Sequence, residues 1–217
     1  MRNVAAVLVV LAMAAAPAYA APITFIGADN NVTSVAGAPN SVAARNAFVA
    51  AASSLNLIDF ESALPGGVLI SGGSVTNNSG CGPLCGFNTT SGGSMFRLSV
   101  GGIQTYSFAA PISAFGAYVN GLQTDQVPQQ TLTYTNGQTQ RIFFPISTGG
   151  GMAFLGFTDA GASIASVTFD FTNDIVAVDD VLYGAASGAA VPEPASMMLL
   201  GTGLAGLAAA RRRRARK

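Results

Sequence analysis

Between residues 22 and 188 the apolar positions fall into short runs, most of them alternating or β-branched, separated by Gly, Asn, Ser and Pro. Runs of period two read as strands. They lie at 23–26, 57–61, 68–75, 95–100, 103–108, 112–119, 131–135, 138–145, 153–157, 164–171 and 175–183. Asn136 and Gly137 separate two of these runs and predict a hairpin with a type I′ turn, whose two central residues both need positive φ. Gly101 and Gly102 predict a second two-residue turn. Many short strands with frequent turns predict an all-β fold, an antiparallel β-sandwich or jelly roll. One stretch breaks the pattern. Ser41 to Leu55 is Ala-rich with Val42, Phe48, Val49 and Leu55 as its bulky positions, which predicts a single short N-terminal helix. Asn40 or Ser41 is positioned to cap it, and Phe48 and Val49 would pack it over an edge or end of the sandwich. No internal repeat of fixed period is visible.

The two ends of the chain follow different rules. Arg2 precedes an apolar stretch from Val4 to Ala15, and Ala18 and Ala20 frame a small-residue cleavage site. That layout predicts a signal peptide over 1–20. At the other end, Pro192, Glu193 and Pro194 precede an apolar run from Ala195 to Ala210 and a basic block from Arg211 to Lys217. The two prolines fix φ and remove two backbone donors, so this stretch is expected to be extended and open to a protease. Its apolar run would make a helix about 24 Å long, short of the roughly 20 residues that span hydrocarbon comfortably. Snorkelling by Arg211 would extend its reach, and the basic block is expected on the cytoplasmic side.

This arrangement resembles the PEP-CTERM sorting signal of exported Gram-negative bacterial proteins. The resemblance implies an exosortase-type processing enzyme as a partner and a transient membrane anchor through a C-terminal transmembrane-like helix. The implied destination is the cell surface or an exopolysaccharide matrix. The expected division is a signal peptide over 1–20, a β-sandwich body over 21–184, a linker over 185–190 and a sorting segment over 191–217.

Without its two ends the chain changes character. The body keeps Arg45, Arg97 and Arg141 against nine carboxylates, a net charge of −6, and has no lysine. Such a body has no basic surface for a phosphate backbone, which argues against nucleic acid as a partner. The chain has no His and no Trp. Ser-His-Asp and Cys-His catalysis, His-ligated zinc and Trp sugar platforms are therefore excluded. Tyr106, Tyr118, Tyr134 and Tyr183 are the rings left to stack on a sugar, against the plainer reading that they are half-buried sheet residues. Cys81 and Cys85 are the only cysteines, and in an oxidising compartment a close pair predicts a small disulfide loop. A redox-active pair is the sharper alternative, with spacing unlike C-x-x-C.

Two acidic clusters carry what chemistry remains. Alternation along a strand would put Asp59 and Glu61 on one face with Phe60 opposite, and would point Asp179 and Asp180 opposite ways. Pairing of first and last strands, common in sandwiches, would bring the clusters together near a sheet edge. Paired carboxylates suit a hard cation such as Ca²⁺. The Phe60-Glu61 step and the late Asp179-Asp180-Val181 also resemble jelly-roll carbohydrate-binding-like domains, in which such acids hold a structural calcium. The resemblance implies Glu61 and Asp179 as first ligands, with Asp59 and Asp180 second. Solvated strand ends and a catalytic carboxylate pair of glycosidase type are the alternatives. The expected function is a non-enzymatic structural or adhesive role at the surface or in an exopolysaccharide matrix. A dedicated carbohydrate-binding module and a carboxylate-only glycoside hydrolase are the other two readings.

Overall fold

Two glycine pairs decide how the strands are shared between layers. The computed structural model describes residues 21–122, 129–144, 149–172 and 174–188, with residue 203 alone beyond them. The readings at Ala18 and Ala20, at Pro192, Glu193 and Pro194, and along the apolar run that follows lie outside the described residues. Among the described residues no helix is long and apolar enough to cross a membrane.

The elements are β1 (Ile23–Asp29), α1 (Pro39–Ala50), β2 (Ala52–Ile58), β3 (Val68–Ser71), β4 (Ser74–Thr76), β5 (Phe96–Val100) and β6 (Ile103–Ile112). They continue as β7 (Ala114–Asn120), β8 (Gln129–Tyr134), β9 (Thr139–Phe143), β10 (Met152–Thr158), β11 (Ile164–Asp170) and β12 (Ile175–Ala186). A seven-stranded sheet has the order β1-β10-β7-β12-β5-β4, with β2 also paired to β12. A five-stranded sheet has the order β3-β6-β11-β8-β9. The pairings are antiparallel. The fold is an antiparallel β-sandwich of two sheets with one N-terminal helix.

The run over 68–75 is cut at Gly72 and Gly73, with φ of 76° and 63°, and its halves join different sheets. The Arg97 side chain holds this crossing, its Nε donating to the Gly72 carbonyl at 2.8 Å. Gly101 and Gly102 likewise carry the chain from β5 in one sheet to β6 in the other, where a hairpin would have kept it in one. Asn136 and Gly137 do turn a hairpin between β8 and β9. Gly137 alone takes positive φ, at 82°, so the turn is the longer kind with a left-handed glycine rather than type I′.

The helix ends earlier than its alanine content predicts. Residues 52–55 leave it to begin β2, because pairing with β12 satisfies their backbone in an extended form. Propensity is a weak prior against a neighbouring strand. Its cap is also a correction, since Ala38 occupies the N-cap position without a side-chain bond. Asp29, at the end of β1, reaches over instead. Its Oδ1 accepts from the Asn40 backbone N–H at 3.1 Å and its Oδ2 from that of Ser41 at 2.8 Å. Burial works against the charged form of Asp29, but the donors of Ser41 and Asn40 hold its carboxyl below the ordinary value.

Phe48 alone of the expected pair is buried; Val49 faces outward. The Phe48 ring packs 5.5 Å from Phe154 and 5.7 Å from Phe25, so α1 covers the outer face of the seven-stranded sheet. Burying such a side chain contributes roughly 1.5–3 kcal/mol. Close approach needs small residues beneath. A Cβ on Gly27 would lie 2.1 Å from the Asn40 carbonyl oxygen, and one on Gly116 would lie 2.6 Å from the Phe154 ring. Between the sheets lies the main core, built on Phe115, Leu155, Phe157, Tyr106, Val167 and Phe169. The last strand runs to Ala186, two residues into the stretch read as linker, because 185–186 still pair with β2.

Candidate functional site

Two regions of the sandwich carry polar chemistry. The first is the gap that β12 leaves between two neighbours. Its first half pairs with β5 as far as Val178, and its second half pairs with β2 from Val181 onward. Asp179 and Asp180 occupy the interval. The register against β7 shifts here, and Asp180 takes φ of 45°, so the strand bulges. The bulge overturns strict alternation. Both carboxylates turn to one loop, where the Thr89 hydroxyl lies 3.0 Å from Asp179 Oδ2 and 3.1 Å from Asp180 Oδ2.

The partner cluster also departs from a strand. β2 ends at Ile58, and Asp59 Oδ1 accepts from the backbone N–H groups of Glu61 and Ser62, each at 3.1 Å. Phe60 takes φ of 57° and buries its ring in the core. Asp59 thus closes its own turn, while Glu61 swings onto the 88–95 loop. Glu61 Oε1 accepts from the Ser94 N–H at 2.5 Å, from the Met95 N–H and from Asn88 Nδ2 at 3.2 Å. The expected meeting of the two clusters occurs through β2 beside β12; β1 pairs with β10 instead.

Asn88 is the hub that sequence reading missed. Its Nδ2 faces Glu61 Oε1, the Met95 carbonyl at 2.8 Å and Asp179 Oδ2 at 3.3 Å. Asp179 is fully buried and also accepts from the Thr89 N–H at 2.7 Å and the Asp180 N–H at 2.8 Å. Burial, with the Asp180 charge adding to it, pushes the Asp179 carboxyl up to about 7 against the lowering pull of those donors. Among the described residues no three acidic or thiol side chains converge as a metal cluster. Asp180 Oδ1 accepts from the Thr90 hydroxyl at 2.7 Å. The Asn88 amide and the hydroxyls of Thr89 and Thr90 are thus all engaged by carboxylates.

The second region is the outer face of the five-stranded sheet. Ser71, Thr105, Thr168, Thr131 and Arg141 pair in succession across all five strands. Leu69, Ser107, Ser166, Thr133 and Thr139 form the next row. With strands about 4.8 Å apart, each row is about 19 Å long. The hydroxyls of Thr105 and Thr168 meet at 2.9 Å. These side chains are exposed or half-buried, and among the described residues of the face only Arg141 and Asp170 are charged. Phe143, 58% exposed, stands at the β9 edge beside them. The signal was present as alternation in Thr105–Ser107, Thr131–Thr133 and Ser166–Thr168. The tyrosines, by contrast, are no platform, because Tyr106, Tyr118, Tyr134 and Tyr183 are all buried.

Cys81 and Cys85 form the expected disulfide. Their loop borders a cleft of about 320 Å³ lined by Asn77, Asn78, Asn88, Ser94, Phe87 and Phe96, among others.

Residues 190–214 match the PEP-CTERM protein-sorting motif. No curated protein matches the chain. Among solved structures, the fold is similar to a family 29 carbohydrate-binding module complexed with cellulohexaose, at TM-score 0.39 and 10% identity. That match covers 61% of this chain and 92% of the module. It is also similar to a CBM22 xylan-binding domain from Paenibacillus barcinonensis, at TM-score 0.41 and 14% identity, covering 64% of this chain and 98% of that one. A third similarity is to the catalytic domain of a GH87 alpha-1,3-glucanase, at TM-score 0.39 and 10% identity, covering 66% of this chain and 30% of that one. The sorting motif implies secretion and a cell-surface destination.

Proposed function

We propose that this is an exported, exosortase-sorted β-sandwich that binds polysaccharide without catalysis, through the outer face of its five-stranded sheet. The observation that carries the reading is the pair of hydroxyl rows on a face that no helix among the described residues covers. Hydroxyls that donate and accept suit the hydroxyls of a neutral glycan, and a face with two charges gives up little ion hydration on contact. Phe143 supplies an apolar surface at one edge for a sugar ring. A scaffold role within an exopolysaccharide matrix follows from such binding and needs no further site.

The hydrolase reading loses support. Asp179 is fully buried and its oxygens are filled by protein donors, so it has no path to a glycosidic bond. A structural calcium keeps one supporting observation. Asn88 Nδ2 has two hydrogens yet faces three oxygens, and turning that amide over would bring its Oδ1 to Glu61 Oε1, the Met95 carbonyl and Asp179 Oδ2. On this reading Glu61, Asp179 and Asn88 hold the ion. Asp59 and Asp180 leave the ligand set because they serve a turn and a threonine pair. The ion would pin the 88–95 loop to β12.

The test is the exported protein on an array of neutral polysaccharides. Saturable binding to at least one of them is expected. A folded protein that binds none would leave the matrix-scaffold role without its surface.

A further inference from the structure

Both ends of the body leave from one pole. Ile23 at the start of β1 pairs with Thr158, which pairs with Ala114, which pairs with Gly184 near the end of β12. The two exits therefore share one row of the seven-stranded sheet, three strand spacings or about 14 Å apart. The strand ends and turns at 51–54, 109–113, 135–138 and 159–163 close the same pole. They consist of Ala, Gly, Ser, Pro, Thr, Asn, Gln and Ile, with a single charged residue, Asp159. Asp159 is buried and accepts from the Tyr134 hydroxyl at 2.8 Å. The remaining charged side chains of the described body lie on α1 (Arg45), in the turn after β2 that packs on the 88–95 loop (Asp59 and Glu61), or farther along the strands and at the far end. A body of net charge −6 thus presents one pole at which no described residue exposes a charged side chain.

Chain length fixes what that pole meets. From Ala186, the last paired residue, to Pro192 is six residues, which reach at most about 21 Å when fully extended. We infer that the uncharged pole is the face the unprocessed protein presents to its membrane-embedded processing enzyme. The inference rests on the sorting reading above and adds to it a docking surface on the folded body. A carboxylate placed at the pole would sit within about one Debye length, roughly 8 Å, of the docked surface, whereas those at the far end are screened. Small neutral side chains can be pressed against the enzyme without the cost of desolvating an ion.

The experiment follows C-terminal processing of the full chain in its own host by mass spectrometry over time. Ala109→Glu with Ser163→Glu charges the pole at two exposed positions, and Val100→Glu charges the far end as a control. Processing of the pole variant is expected to slow by about fivefold or more, as juxtaposed unfavourable charge does at an interface. The control should keep the wild-type rate. Eight Gly/Ser residues inserted after Gly188 should restore the pole variant by relieving the enforced approach. Equal melting temperatures of the secreted variants would exclude misfolding as the cause. Equal rates for pole variant, control and wild type overturn the docking surface alone. A wild-type chain recovered intact through Lys217 overturns the sorting reading beneath it.

Discussion

The two sheets of this sandwich share a core and differ in what lies behind them. The seven-stranded sheet is covered by α1, so every residue of β7 and of β10 is buried. No described residue covers the outer face of the five-stranded sheet, and its strands alternate apolar Leu132, Val167 and Phe169 with Thr131, Thr133, Ser166 and Thr168. One layer is built for burial on both sides and the other for display on one. Stability and binding should therefore separate by sheet when residues are changed.

The largest effect is expected under the helix. Phe154→Ala removes a fully buried ring wedged between Phe48 and Tyr118, and should cost about 3–5 kcal/mol in denaturant unfolding. A loss under 1 kcal/mol would mean that the helix is a loose lid. Next comes the hub between β2 and β5. If an ion sits there at about a hundredfold its dissociation constant, a chelator should remove about 2.7 kcal/mol and lower the melting temperature accordingly. Unchanged melting would leave a latch of hydrogen bonds alone.

A smaller change is expected at Asp29. Asp29→Ala strips the first turn of α1 of its acceptor and should cost about 0.5–2 kcal/mol. Acid should mimic it. The folded carboxyl titrates below the unfolded value of 3.8, so its contribution is present above that pH and is lost as pH falls through the folded value. Unfolding free energy measured between pH 6 and pH 2.5 should fall in that window for the wild type and less for Asp29→Ala. The smallest change in stability is expected on the open face, where Thr168→Ala should stay within about 0.5 kcal/mol. The same variant should nonetheless weaken polysaccharide binding.

Sequence pattern revealed this division unevenly. Alternation located most strands and, in Thr105–Ser107 and Thr131–Thr133, already held the open face. It failed where glycines send a run across the sandwich, as at Gly72 and Gly73, since strand period carries no information about which sheet receives each half. The stop of α1 at Ala50 was hidden because Ala51 and Ala52 continue the run of helix formers, while Ala52 already has a strand's partner in Ala186. At the acidic site, Asp179 and Glu61 were legible as residue types. Their meeting depends on a bulge at Asp180 and a left-handed Phe60, which no local pattern announces. Asn88 and Thr89 lie 27 or more positions from their acidic partners, and nothing local announces the pairing.

The central claim is that the bare sheet, and not the helix-capped one, contacts polysaccharide. Binding isotherms of Thr131→Glu and Val49→Glu on the best array ligand test it most directly, since one charges the hydroxyl rows and the other the exposed side of α1. Loss of binding by Thr131→Glu, with Val49→Glu indistinguishable from wild type, is the predicted result. Retained binding by Thr131→Glu, or loss by Val49→Glu alone, would contradict it.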